Sequence, residues 1–201
     1  GSSGGGRPGV VKIVSSLPMQ GSALAQNQSV VNGIRLALQE AGNKAGAFTV
    51  EYEPWDDATA QAGQWDSGAE AKNAQRAVAD PDVVAYIGTY NSGAAKISMP
   101  ILNRASLLMV SPGNTYVGLT KPGLGEKTEP AIYRPSGKIN YFRVVPADDI
   151  QGKVAARWAV KLGLKKAYIL DDRELYGKGV ADVFEVEAKK AGIAVLGHEG
   201  I

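Results

Sequence analysis

The chain has 201 residues, 44% hydrophobic and 21% charged, an ordinary globular composition with room for one large domain or two small ones. Its 22 basic and 20 acidic residues leave a net charge of +2 with no basic stripe, which argues against a nucleic-acid partner. Absent cysteine and a single histidine, His198, exclude disulfides, thiolate chemistry and a multi-histidine metal site, and no apolar run approaches the roughly 20 residues that cross a bilayer.

Residues 1–9 are rich in Gly and Ser and read as a flexible leader, either a tether left by signal-peptide removal or an expression scar. Val10 to Ser15 is a short apolar run suited to a central parallel strand. Val30, Val31, Ile34, Leu38 and Ala41 mark the buried face of a helix that stops near Gly42-Asn43. Phe48 to Tyr52 is the next strand, ending at Pro54-Trp55-Asp56-Asp57. An alanine-rich helix over 67–79 turns Ala74, Ala77 and Val78 inward and closes at Asp80-Pro81. Val83 to Ile87, a helix from Ser92 to about Asn103, and Leu107 to Val110 follow.

Residues 112–138 hold four prolines and five glycines and show no sustained period, as in a crossing between lobes or a functional loop. Alternation then resumes. Tyr141 to Val145 is a strand; Ile150, Val154, Trp158 and Leu162 line one helix face. Ala167 to Leu170 is a strand, Glu174 to Ala191 a helix with Val180, Val183 and Phe184 inward, and Ile193 to Leu196 a strand. The order implies an α/β fold of two Rossmann-like lobes, parallel sheets flanked by helices. The expected boundaries are a leader over 1–9, lobe one over 10–120, a crossing loop over 121–139 and an incomplete lobe two over 140–201.

Two strand ends carry the chemistry. Gly88 is followed by Thr89-Tyr90-Asn91-Ser92-Gly93, and Val110 by Ser111-Pro112-Gly113-Asn114-Thr115. Parallel strands laid side by side put both turns on one sheet edge, where hydroxyls and helix-N-terminal N–H groups converge on something small and anionic.

These residues resemble a known family. Gly33-Ile34-Arg35-Leu36-Ala37, Tyr52 to Asp57, Tyr86-Ile87-Gly88, Ser111-Pro112, Tyr141 to Gly152 and Asp171 to Gly179 together resemble a type I periplasmic binding protein of the Leu/Ile/Val branch serving ABC transporters. The resemblance runs from Val10 to Ile201 and implies the N-terminal half of a longer, here truncated, protein. It places Ser92 and Gly93 at the ligand carboxylate, Gly113 and Thr115 in a second contact turn, Tyr90 against the ligand, and Tyr176 closing from lobe two. Each has a plainer role beside it: an N-cap for Ser92, a turn for Thr115, a surface aromatic for Tyr90, helix-start packing for Tyr176. Gln26 stands where this branch often has an aromatic, which leaves the ligand open among amino acids, amides, urea and aromatic acids.

The resemblance implies an extracytoplasmic receptor, a monomer and possessing no cofactor, that holds an amino acid or similar carboxylate in the interlobe cleft and docks on an ABC permease. A lipid anchor is one reading of the leader. Two rivals keep the sheet and change the use: a sensing domain of a signalling receptor, or a Ser-dependent hydrolase. Gly123-Leu124-Gly125-Glu126-Lys127-Thr128 lacks the glycine before lysine that a phosphate loop needs and follows no strand. Asp56-Asp57 and Asp171-Asp172 sit at strand ends, where caps and solvated turns are the rule.

Overall fold

A computed structural model describes residues 6–201. The chain divides into two compact units: residues up to Gly113 with Ala131–Val144, and Asn114–Pro130 with Val145–Ile201.

Among the described residues the first unit is built on a six-stranded sheet. Its strands are β1 (Val10–Leu17), β2 (Lys44–Ala45), β3 (Phe48–Asp56), β4 (Val83–Gly88), β5 (Leu108–Ser111) and β6 (Tyr141–Arg143), in the order β2-β3-β1-β4-β5-β6. All pairings are parallel except β2 with β3, a two-residue antiparallel edge that the hydrophobic pattern does not reveal. Helices α1 (Leu24–Glu40), α2 (Ser67–Ala79) and α3 (Ser92–Arg104) connect the strands. Strand order reverses at β1, which has β3 on one side and β4 on the other. The crevice outside the strands' carboxyl ends at such a reversal is where open α/β sheets bind ligands. Those ends are Leu17, Asp56, Gly88 and Ser111.

Tyr141–Arg143 hydrogen-bonds along β5, Met109 opposite Tyr141 and Ser111 opposite Arg143. The sequence alone suggests this strand for the start of lobe two; its pairing gives it to the first sheet. The loop over 114–130 packs instead with the second unit. Within the stretch read as a leader, residues 1–5 lie outside the described residues, whereas Arg7 is anchored, its Nε 2.6 Å from Asp82 Oδ2 and its Nη1 3.0 Å from Glu51.

The core of the first unit gathers Val14, Leu17, Tyr86, Met99, Leu102 and Met109, each at most 1% exposed. Helix α2 starts under an N-cap, Asp66, whose carboxylate accepts from the Ala69 N–H at 2.9 Å. Its inward face holds Ala74 and Ala77 but also Glu70, while Val78, expected inside, is exposed.

The second unit holds α4 (Asp148–Lys161), β7 (Lys166–Asp171), α5 (Leu175–Lys190) and β8 (Ala194–Gly200), with β7 and β8 parallel. Ala156, Ala159, Ala188 and Ile193 form its core, with Phe184 and Val195 against them. The apolar stripe expected to be the packing face of α4 is not: Ile150, Val154, Trp158 and Leu162 are all exposed. The helix packs through its small residues. A methyl on Gly152 would stand 2.6 Å from Val183 Cγ1, so α4 and α5 approach as closely as that glycine allows.

Candidate functional site

The first unit brings its two sequence-defined turns into contact. Strand β4 is apolar and buried at Val83 and Tyr86, and it delivers the chain to Thr89-Tyr90-Asn91 before α3 begins at Ser92. Strand β5 lies alongside, Ile87 opposite Val110, and ends in Ser111. The buried Ser111 hydroxyl donates to the Thr89 carbonyl at 2.9 Å and accepts from the Gly113 N–H at 3.1 Å. One hydroxyl therefore fixes the end of each strand to the other. Gly113 sits so close to Tyr90 that a β-carbon there would lie 3.2 Å from the Tyr90 carbonyl oxygen, which explains the glycine. Thr89 Oγ1 donates to the Asn91 carbonyl at 2.7 Å and tightens the same turn.

Ser92 is buried, 2% exposed, as the first residue of α3. The N-cap is Asn91, and its side chain makes no capping bond. Ser92 thus stands one residue past the N-cap position. The first-turn N–H groups of α3 have no acceptor within the helix, and the helix dipole adds partial positive charge there, which favours an anion by about 0.3–1 kcal/mol. The Tyr90 phenol donates to the Gln26 amide oxygen on α1. Gln26, set apart in the sequence for its departure from an aromatic, is the hydrogen-bond partner of the neighbouring candidate residue.

Thr115 and Tyr176 belong to the second unit. The Thr115 carbonyl accepts from the Asp148 N–H at 2.9 Å, at the start of α4. Tyr176, in the first turn of α5, is 44% exposed, and its phenol accepts from Gln151 Nε2 at 3.2 Å. Four of the six candidates, Tyr90, Ser92, Gly93 and Gly113, therefore lie in the first unit, in or directly after the two turns that the Ser111 hydroxyl joins.

The sequence profile of the periplasmic binding protein family matches residues 10–201. The chain belongs to that family. It is similar to the Leu/Ile/Val-binding protein BraC3 of Rhizobium johnstonii, 31% identical over 92% of this chain and 45% of that protein. Among solved structures it is similar to a leucine-binding protein from Thermotoga maritima, 25% identical with a TM-score of 0.77, over 95% of this chain and 49% of that one. A Rhodopseudomonas palustris solute-binding protein in complex with benzoate shares the fold with a TM-score of 0.79 at 20% identity, over 96% of this chain and 48% of that one. The chain spans about half the length of the relatives it matches.

Other polar groups of this binding-protein chain resolve into structural roles. Asp56 accepts from the Met19 and Ala58 N–H groups, each at 2.8 Å, and from Gln20 Nε2 at 2.8 Å, so it organises the turns beyond β1 and β3. Asp171 and Asp172 accept from the Arg173 and Glu174 N–H groups at 2.7 and 3.0 Å and so shape the turn after β7 without capping α5, whose N-cap is Glu174. The stretch Gly123 to Thr128 is loop, with the Glu126 N–H donating to Glu129 at 2.8 Å. Among the described residues no group of three His, Asp or Glu side chains could hold a metal, and no helix is long and apolar enough to cross a membrane.

Two arrangements escaped the sequence. His198 on β8 places Nδ1 2.7 Å from Glu185 on α5 and Nε2 2.9 Å from Asp171. Both ring nitrogens face carboxylates, so the Glu185 bond first, and Asp171 after it, raise the pKa of the imidazole. This stabilisation is complete below the ordinary histidine range and is lost as pH rises through the raised value. Glu70 is the other: a charged residue in an alanine-rich helix suggests a solvated face, yet its side chain is fully buried.

Proposed function

We propose that this chain is part of an extracytoplasmic receptor of an ABC importer, and that the turns after β4 and β5 hold the carboxylate of a small solute. The observation that supports this reading is the Ser111 hydroxyl, bonded to the Thr89 carbonyl and the Gly113 N–H, which joins the turn leading into Ser92 and Gly93 to the turn of Gly113 at the carboxyl edge of the sheet. The dipole of α3 aims positive potential at the same place.

The names of the relatives support the ligand class. They bind leucine, isoleucine, valine or benzoate, and these solutes have little in common beyond a carboxylate. The Tyr90–Gln26 bond gives the neighbouring wall polar character, compatible with an amino acid or an amide as much as with an aliphatic side chain. In this proposal Thr115 and Tyr176 also contact the solute, the solute is released unchanged, and a membrane permease receives it from a monomeric receptor.

The test is calorimetry of the full chain with leucine, glutamine and benzoate. Replacing Ser92 by alanine removes a charge-assisted hydrogen bond and is expected to weaken a carboxylate ligand by about 1–3 kcal/mol. A ligand whose affinity is unchanged in Ser92→Ala removes this turn from the binding site. Ester or amide turnover abolished in the same variant would replace the receptor with a hydrolase.

A further inference from the structure

Two acids of the first unit, Asp57 and Glu70, are wholly shielded from solvent, each 0% exposed. Glu70 projects from α2 and accepts from the Ser16 hydroxyl of β1 at 2.6 Å and the Tyr86 phenol of β4 at 2.9 Å. Ser98 on α3 also acts on it. Asn73, one turn along α2, donates to Ser16 Oγ and to the Asp56 carbonyl, both at 2.9 Å, and ties the helix to the ends of β1 and β3. Asp57 follows β3. Its backbone N–H donates to Leu17 at 3.2 Å and its carbonyl accepts from Asp66 at 2.7 Å, but neither carboxyl oxygen has a hydrogen-bond partner among the described residues.

A buried carboxylate is tolerated when a cation or several donors surround it, and is otherwise among the most costly groups to enclose. Here the ionisable groups acting on the two acids are Asp56 on Asp57, and Asp57 and the Tyr86 phenol on Glu70. None is a cation. Two carboxylates enclosed without a cation cannot both ionise cheaply. What this site lacks is positive charge small enough to fit a closed core.

We propose that Asp57 and Glu70 form a proton-binding pair that retains a proton in the folded protein at neutral pH and so links the integrity of the first sheet's carboxyl edge to pH. The bound species is a proton, held by either acid, and not a metal cation. Its place matters for function, because Ser16, which donates to Glu70, lies opposite Gly88 in the sheet register, one residue before the turn carrying Tyr90 and Ser92. Burial pushes Asp57 to about 7 and Glu70 to about 8, both above their unfolded values. The sign follows. The folded state binds more protons than the unfolded one, so the stabilisation is complete below about pH 4 and declines as pH rises to about 8.

The test uses the ligand-free full chain. Urea unfolding midpoints are compared at about pH 5 and about pH 8 for the wild type, Glu70→Gln and the double variant Asp57→Asn with Glu70→Gln. Glutamine can still accept from Tyr86 and donate to Ser16, so the hydrogen bonds of Glu70 have substitutes. The wild type is expected to lose most from acid to alkali, Glu70→Gln less, and the double variant least. His198 contributes equally to all three, and comparing them removes it. Infrared spectra of the wild type at neutral pH should contain the carbonyl stretch of a buried protonated carboxyl, weakened in Glu70→Gln; this reading survives even where a variant fails to fold. Equal pH dependence in all three proteins, no protonated carboxyl in the wild type, or a stoichiometric metal ion in elemental analysis overturns the proposal.

Discussion

Tyr86→Ala is expected to lower the unfolding free energy of the first unit by about 3–5 kcal/mol, the usual loss when a large buried aromatic is truncated. The ring is fully buried on β4, between Val14 of β1 and Met109 of β5 in register. It also lies directly below Gly88, where a β-carbon would meet Tyr86 Cε1 at 3.1 Å. Phenylalanine separates the two parts of its contribution. It keeps the packing, removes the hydroxyl that donates to Glu70 and leaves that buried oxygen short of a donor, at an expected loss of about 1–3 kcal/mol. Urea denaturation at neutral pH measures both. A phenylalanine variant as stable as the wild type would mean that the phenol–carboxyl bond contributes nothing net. An alanine variant no worse than phenylalanine would mean that the ring does not fill the core.

The second large effect belongs to the contact of α4 with α5. Alanine at Gly152 would put its β-carbon 2.6 Å from Val183 Cγ1 and 3.0 Å from the backbone nitrogen of Phe184. A side chain can rotate away; a backbone nitrogen inside a helix cannot. The helices must separate, and overpacking of this kind costs about 1–3 kcal/mol for alanine, with valine costing more. Gly33 on α1 is the matched control: a β-carbon there meets nothing within 4 Å, and alanine in a helix interior is favoured over glycine by about 0.8–1.0 kcal/mol. Thermal or urea unfolding followed by circular dichroism should therefore move in opposite directions for the two substitutions. A Gly152→Ala variant as stable as the wild type would show that the two helices are not in close contact through that glycine.

Alternating strands and helices were legible because buried parallel strands are short apolar runs and the intervening helices keep a 3.6 period. The turns were legible because Ser92-Gly93 and Ser111-Pro112-Gly113 are turn and helix-start residues directly after such runs. Strand pairing was not legible. Nothing in Tyr141-Phe142-Arg143 says which sheet it joins; that depends on the register with Met109, Val110 and Ser111. Helix α4 misled because its large apolar residues mark a stripe, while its close contact with α5 uses Gly152 and its core contact Ala156 and Ala159. Small residues carry no hydrophobic signal in proportion to the packing they permit. Glu70 and His198 were missed for a related reason: residue type suggests solvent exposure, and only the fold brings Ser16 and Tyr86 to one, and Asp171 and Glu185 to the other. Ser92, Gly113 and Tyr90 are candidates that the sequence and its family resemblance offer; the Ser111 hydroxyl that joins their turns is visible only in the fold.

In the proposed receptor a carboxylate binds at the turns after β4 and β5. Backbone amide resonances of the isotope-labelled full chain, followed during titration with leucine and with benzoate, test it without altering any residue. The amides of Ser92, Gly93 and Gly113 are expected to shift with the same saturation curve as the binding heat, for any carboxylate that binds. Saturable binding that leaves those three amides unmoved while resonances elsewhere in the chain respond would contradict the account.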